Sequence, residues 1–314
     1  MESYTILKAT SSDGYALLDS GEGEKLERYG DVVVARPDPQ ALWRKHLPEV
    51  EWKKAAAYFK RDSKNAEWET RSDVPGRWPI KFGGLTMWIK LSAFKHTGIF
   101  PEQAPNWEWI RNVILTRHGG EGSTLAQRLD SSTPLRSAQN DNAKVKVLNL
   151  FGYTGGASLA AAQAGAEVVH VDGSKVAINW ARDNAEASGL KDKPIRWILD
   201  DAAAFVKREL RRGNTYDGII MDPPSFGHGP KKELWKIEDS FLPLLDDCKK
   251  ILSPEPLFFL VNGYASGYSA VAYKNSLSDL LKEYGGEVGI GELTIEEQKS
   301  ERLLPAGIFA RWQR

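Results

Sequence analysis

Cysteine is almost absent from this chain: Cys248 is the one thiol in 314 residues. That excludes an intramolecular disulfide and any cysteine-built metal cluster. Long apolar runs are missing too, because the most apolar stretch, Leu257-Phe-Phe-Leu-Val261, has the length of a strand and not of a membrane span. The first eight residues, Met1 to Lys8, lack the basic start and apolar core of a targeting segment, so a cytoplasmic protein without a membrane partner is expected. Net charge is also lacking. Lys plus Arg equals Asp plus Glu at 42 each, and residues 1–110 hold 16 of either sign, so nucleic-acid recognition would have to come from a local patch. The five histidines, His46, His96, His118, His170 and His228, show no metal-ligand spacing, and no metal is expected. Internal repeats and low-complexity segments are absent.

What is present divides in two. Residues 1–110 hold seven of the 11 tryptophans, and short apolar runs separated by turn residues predict a β-rich subdomain there. Strands are expected at Tyr15–Asp19, Val32–Arg36, Ala55–Phe59, Trp78–Ile80 and Leu85–Lys90, with a helical turn over Pro39–Trp43. Core packing is the ordinary role for so many aromatics. From residue 111 to 314 helix and strand patterns alternate, which implies a parallel sheet covered on both faces. Helices are expected over 106–116 and 122–129, and 131–142 reads as a polar linker. Strands fall near 145–151, 166–172, 194–199, 216–222 and 256–262, with helices near 155–164, 174–188, 201–212, 236–252 and 266–284. An antiparallel pair near 286–295 and 306–313 closes the pattern. The expected fold is therefore α/β, a doubly wound Rossmann-like sheet ending in an antiparallel hairpin. A dehydrogenase would add a sixth parallel strand instead, so the methyltransferase arrangement is favoured.

Three motifs stand at the expected strand ends, where ligands of open α/β sheets bind. The first is the Gly-rich turn Phe151-Gly-Tyr-Thr-Gly-Gly156 after an apolar strand. Glycine lets main chain approach a ligand closely, and Gly152, Gly155 and Gly156 would face the amino-acid part of a nucleoside cofactor. The second is Asp172, 20 positions beyond Gly152 at the end of Val168-Val-His-Val-Asp172, which would accept hydrogen bonds from ribose hydroxyls. Dehydrogenases share both. The third, Asp222-Pro-Pro-Ser-Phe226, has no place in dinucleotide binding but suits a planar acceptor. Its tandem prolines, Pro223 and Pro224, fix φ and remove two donors, Asp222 and the Pro223 carbonyl would hold an amine-bearing ring, and Phe226 would stack on it. Asp201 either caps a helix or bonds the adenine amine. Together they predict S-adenosylmethionine as cofactor. Methyl transfer from a sulfonium is in-line displacement, so holding the acceptor in place matters more than acid–base work. Cys248 sits in an amphipathic helical pattern, the setting of an inert core thiol, and His170 lies in an apolar strand.

These residues resemble the bacterial 23S ribosomal RNA methyltransferase family that includes the cytosine-5 and guanine-N7 enzymes, over roughly residues 92–314. Leu148 to Gly156 is similar to the family's cofactor loop, which implies cofactor contacts from Phe151, Gly152, Tyr153, Thr154, Gly155 and Gly156. Asp172, Asp201 and Asp222 fall on its acidic positions. His96-Thr-Gly-Ile-Phe-Pro-Glu-Gln103 resembles its segment folding over the cofactor, implying roles for Phe100 and Gln103. Leu303 to Phe309 is similar to its closing hairpin. The strand end that carries the cysteine of the cytosine-5 members reads Val261-Asn-Gly-Tyr264 here, and Asn262 is more like the guanine-N7 members. Residues 1–90 do not resemble the family's usual RNA-binding domain. The resemblance implies a base nitrogen in structured ribosomal RNA as methyl acceptor. A small-molecule or protein methyltransferase, and a cofactor-binding module without catalysis, remain open on the residues alone.

Overall fold

The computed structural model describes residues 4–61, 66–71, 73–92, 95–117, 144–264 and 267–314. The expected helix 122–129 and linker 131–142 lie outside these described residues.

Beyond residue 144 the chain follows its pattern closely. Strand β9 (Lys146–Leu150) leads through a turn into α3 (Gly156–Gln163), then β10 (Glu167–Asp172), α4 (Lys175–Ala187), β11 (Ile195–Leu199), α5 (Ala202–Arg212) and β12 (Gly218–Met221). A small hairpin follows, β13 (Phe226–His228) with β14 (Leu234–Lys236), and then α6 (Ile237–Lys250), β15 (Phe258–Gly263), α7 (Ala270–Leu281), β16 (Glu287–Glu296) and β17 (Leu303–Gln313). Helix starts obey ordinary capping: Ser174 accepts from the Ala177 amide and Asp201 from the Ala204 amide, each satisfying an amide the helix cannot.

The strands β11, β10, β9, β12 and β15 run parallel in that spatial order, and β17 and β16 extend the sheet antiparallel. The order reverses between β9 and β12, and this switch point opens a crevice beyond the strand ends. Both faces are buried. Leu148, Leu150, Ile219 and Met221 pack under α5, α6 and α7, while Val147, Ile220 and Phe258 pack with Ile110, Val113 and Ile114 of α2 (Ala104–Arg117).

The amino-terminal region carries more strands than its apolar runs predict. Strands β2 (Tyr15–Gly21), β3 (Glu24–Tyr29), β4 (Val32–Pro37), β5 (Ala57–Arg61) and β6 (Ala66–Thr70) form one sheet, and β7 (Trp78–Phe82) pairs with β8 (Leu85–Ile89). Pro39–Trp43 is a turn without helix; a short helix, α1 (Glu49–Trp52), follows it instead. Strand β1 (Tyr4–Ala9) does not belong to the β-rich region at all. It pairs parallel with β16 at the edge of the large sheet. The expected division at residue 110 is therefore crossed twice, by β1 and by α2, which runs through it. The physical reason is that β1 is an edge strand with mostly exposed residues, and its partner lies at the far end of the chain.

Hairpin β7–β8 docks on α4 through side chains that imitate a strand. Asn184 Oδ1 accepts from the Trp88 amide at 2.8 Å, Ser188 bonds both amide and carbonyl of Thr86, and Trp180 Nε1 donates to the Trp88 carbonyl at 2.8 Å. These bonds cover an edge that would otherwise stay unpaired.

Candidate functional site

The turn after β9 is strained where it faces the crevice. Phe151 and Tyr153 take positive φ of 58° and 49°, conformations costly for residues with a Cβ. Two glycines in it answer to neighbouring rings. A Cβ on Gly152 would stand 2.4 Å from His170 Cε1, and one on Gly156 would stand 2.3 Å from Trp107 Cζ2. Their first duty is thus to let His170 and Trp107 close under the loop. His170 is wholly buried, its Nδ1 lies 2.9 Å from Ser158 Oγ, and burial lowers its pKa to about 3, so it is a neutral core residue as its apolar strand implied.

Asp172 ends β10 with both oxygens engaged. Oδ2 accepts from the Tyr153 amide at 2.8 Å and Oδ1 from the Ser174 amide at 2.7 Å. Burial raises this carboxyl above its usual range, with the two amides acting against the rise. Each oxygen keeps a lone pair, which is what two ribose hydroxyls require. In front of it lies a cavity of about 300 Å³, lined by Phe151, Asp172, Asp201, Ala202, Asp222 and Trp235 among others. Asp201 is the cap of α5, with Oδ1 2.8 Å from the Ala204 amide, and it also lines this cavity, so both roles foreseen for it are compatible. Neighbouring Asp200 pairs with Arg208.

A smaller inner cavity of about 60 Å³ opens behind, lined by Phe100, Gln103, Asn149, Gly152, Asp222 and Asn262 among others. Phe151 and Asp222 line both cavities, so the two form one cleft with Asp222 at the junction. Among the described residues the Asp222 carboxylate makes no hydrogen bond or ion pair, and desolvation by burial pushes it up to about 6. A polar group left unpaired in a cleft is held there at a cost to stability, which marks it as available to a ligand.

The remaining expected residues are partly brought in. Phe100 and Gln103 line the inner cavity, and the Phe100 ring meets that of Tyr153 at a tilt, with centroids 5.4 Å apart. Thr154 Oγ1 donates to the Gly98 carbonyl at 2.7 Å, binding this segment to the loop. Pro223 is buried, and the Pro224 carbonyl is already used, accepting from Trp235 Nε1 at 2.6 Å. Phe226 lines neither cavity; it stands on the β13–β14 hairpin, 56% exposed, edge-on to His228 at 5.2 Å. It is placed at the mouth because hairpin formation lifts it off the strand end.

Four residues escaped the sequence reading. Trp235 packs on Phe151 at 4.9 Å, and Asn184 donates to the Thr154 carbonyl at 2.9 Å while holding β8. Arg311 and Asn106 stand behind the inner cavity, linked by hydrogen bonds. None sits in a motif; each reaches the site only through tertiary packing. The fold also gathers Asp19, His46 and Glu297. Asp19 accepts from the His46 and Leu47 amides and Trp52 Nε1, and Glu297 from Ser20 and Ser300, so these acids serve as struts between the amino-terminal sheet and the β16–β17 turn.

Cys248 is fully buried in α6 against the core, and burial pushes its thiol far above the usual range. Among the described residues no helix is long and apolar enough to cross a membrane.

Comparison with known proteins agrees with this geometry. A family described as S-adenosylmethionine-dependent methyltransferase matches residues 105–256. A solved S-adenosylmethionine-dependent methyltransferase from Agrobacterium tumefaciens is 40% identical, covers 98% of this chain and 93% of its own, and superposes with a TM-score of 0.87. Ribosomal RNA large subunit methyltransferase I of Aeromonas hydrophila is 31% identical over 243 residues, which is 70% of this chain and 54% of that protein. The K/L enzyme of Hahella chejuensis is 29% identical over 173 residues, 54% of this chain and 20% of that protein. The chain thus spans between a fifth and about half of these curated relatives. The cavity, the strand-end Asp172 that lines it and the near full-length match agree, and the chain belongs to the S-adenosylmethionine-dependent methyltransferases.

Proposed function

We propose that this methyltransferase modifies a nitrogen of a base in structured ribosomal RNA. The observation that carries the reading is Asp222, an unpaired carboxylate at the inner junction of the cleft, with no thiol near it. A carboxylate that only accepts hydrogen bonds positions a nitrogen acceptor. Activation of a pyrimidine carbon needs a covalent nucleophile, and Cys248 is locked in the core. The names of the ribosomal RNA relatives support RNA as the substrate class. Comparison of nucleosides from ribosomal RNA with and without the gene, by mass spectrometry, tests it; an unchanged RNA profile overturns it.

S-adenosylmethionine supplies an electrophilic methyl group carried on a sulfonium. Asp172 would hold the ribose, Asp201 and Ala202 would meet the adenine, and Gly152 to Gly156 with Tyr153 and Thr154 would present main chain to the amino-acid end. Phe100 and Gln103, which line the inner cavity, would border that end. Asp222 and the Pro223 carbonyl hold the acceptor, with Phe226 offering an exposed ring on which a base enters by stacking.

Asp172→Ala removes both the ribose acceptor and the anchor of the Tyr153 and Ser174 amides. S-adenosylhomocysteine affinity, read by calorimetry, is expected to weaken by about 1.5–3 kcal/mol. Unchanged affinity would remove Asp172 from the cofactor site.

Cys248→Ala should leave methyl transfer intact, with a packing cost of roughly 1 kcal/mol. RNA containing 5-fluorocytidine should form no stable adduct with the wild-type protein. An adduct that vanishes in Cys248→Ala would assign a carbon acceptor and reverse this reading.

A further inference from the structure

We infer that Arg311 and Asn106 fix Asn262 as a hydrogen-bond donor beside Asp222, so that the enzyme selects a substrate edge in which a carbonyl oxygen or bare ring nitrogen adjoins the group bound by Asp222. The inference rests on the acceptor-site reading of Asp222 given above and deepens it.

The polarity follows from the arginine. A guanidinium can only donate, and Arg311 Nε donates to Asn106 Oδ1 at 2.8 Å, with Nη2 donating to the same oxygen. The carbonyl of Asn106 therefore faces Arg311, because a flipped amide would set donor against donor. Its NH2 then has two hydrogens to place. One goes to Gln103 Oε1 and the other to Asn262 Oδ1, each at 2.8 Å. With its carbonyl oxygen held by Asn106, Asn262 has its own NH2 to offer the cavity that it lines.

The arrangement is costly. Asn106 and Asn262 are 1% and 4% exposed, and Arg311 lies between the rings of Trp109 and Phe309, at 5.0 and 4.6 Å, with no carboxylate partner among the described residues. Burial lowers its pKa to about 9, which still leaves it charged at neutral pH. An arginine half-buried without a counter-ion stabilises a fold poorly. An apolar residue here would pack against the same rings, so fixing the direction of two amides accounts for a cation that stability alone does not call for.

The location says which ligand reads the donor. Met221 and Val261 are register partners on β12 and β15, so Asp222 and Asn262 are the next residues on adjacent strands. The cofactor turn follows β9, on the opposite side of β12. Asn262 thus lies beyond Asp222 from that turn, on the acceptor side of the cleft. An acceptor at Asp222 and a donor at Asn262 fit the edge of a heterocycle that carries an N–H next to a carbonyl or ring nitrogen. A site built to bond such an edge rejects analogues that leave its buried groups unpaired.

The test uses ribosomal RNA from cells lacking the gene and labelled cofactor. Asn262→Asp keeps the shape and the bond from Asn106 but turns the donor into an acceptor. Its kcat/KM should fall at least about 100-fold, while S-adenosylhomocysteine affinity stays within about threefold. Arg311→Gln, which frees the polarity of Asn106, should lower kcat/KM about tenfold, mainly through KM, and Arg311→Lys, again a pure donor, should recover most of it. Near-normal turnover by Asn262→Asp, or a parallel loss of cofactor affinity, overturns the assignment. Should the wild-type protein methylate no RNA, the RNA reading fails by itself, and side-chain amide exchange decides the relay. The Asn106 NH2 should be protected and the Asn262 NH2 should exchange faster; the reverse order overturns it.

Discussion

Replacing Asp222 by alanine should reduce methyl transfer at least about 100-fold, the usual scale for losing a positioning group, while S-adenosylhomocysteine binding changes several-fold at most. The separation is expected because Asp222 lines both cavities yet bonds nothing of its own chain, whereas the cofactor turn is held by Asp172, Gly98 and Asn184. Stability should move the other way. The folded-state pKa of Asp222 is raised to about 6 by burial, above the ordinary value of about 3.9 for an unfolded aspartate. Ionisation is therefore disfavoured in the fold, and the charge subtracts stability once pH exceeds both values. Asp222→Asn should raise Tm at pH 7 to 8 and lose that advantage as pH falls towards 4. Wild-type activity should decline as pH drops through about 6, where the carboxylate takes up a proton. A mutant with near-normal turnover, or one less stable than wild type at pH 8, would end the assignment of Asp222 as an acceptor-site residue.

The parts of the fold that were legible in the sequence are those fixed by local repetition. Apolar runs such as Lys146–Leu150 and Phe258–Gly263 are strands buried on both faces, and the helices between them carry their caps in the sequence, as Ser174 and Asp201 do. The turn after β9, Asp172 and Asp222 are legible as cleft-lining positions because each sits directly at a strand end. What was not legible depends on partners distant in the chain. Strand β1 has few buried residues and finds its partner, Ile290–Ile295, close to the other end of the chain. Asn106 is one polar residue in a helix until β15 and β17 bring Asn262 and Arg311 against it. Glycine at 152 and 156 implies room for a ligand, but a Cβ at these positions would first meet His170 and Trp107. Phe226 belongs to a motif whose sequence reads as continuous, yet the chain turns after Pro224 and sends the ring outward with the hairpin.

Loss of Arg36 should have the largest effect on stability, about 3–5 kcal/mol, the range for removing one partner of a buried pair. Arg36 and Glu27 lie 5% and 0% exposed on β4 and β3. Arg36 Nε donates to Glu27 Oε2 at 2.5 Å and Nη2 to Oε1 at 3.0 Å, a two-pronged contact. Tyr15 and Tyr29 hydroxyls donate to Glu27 Oε1 at 2.9 and 3.1 Å. Burial works to raise the Glu27 carboxyl, but the charges of Arg36 and Lys25 and these hydrogen bonds outweigh it and hold it down at about 2. A lowered carboxyl contributes stability that is present above its unfolded value of about 4.3 and is lost as pH falls towards 2. In Arg36→Met the same carboxylate would be buried without its main partner. Its pKa should rise, and the acid limb of the stability curve should shift to higher pH. The effect should also reach the cleft, because Arg36 Nη1 donates to the Lys95 carbonyl at 3.0 Å, at the root of the segment that carries Phe100 and Gln103. Calorimetric Tm across pH 3 to 8, with S-adenosylhomocysteine affinity measured on the folded fraction, checks both parts. The double variant Arg36→Met, Glu27→Gln should regain much of the lost stability, since no unpaired charge is left in the sheet. If it were no more stable than Arg36→Met alone, the cost would lie in lost packing, and the buried ion pair would not be what ties the amino-terminal sheet to the cofactor cleft.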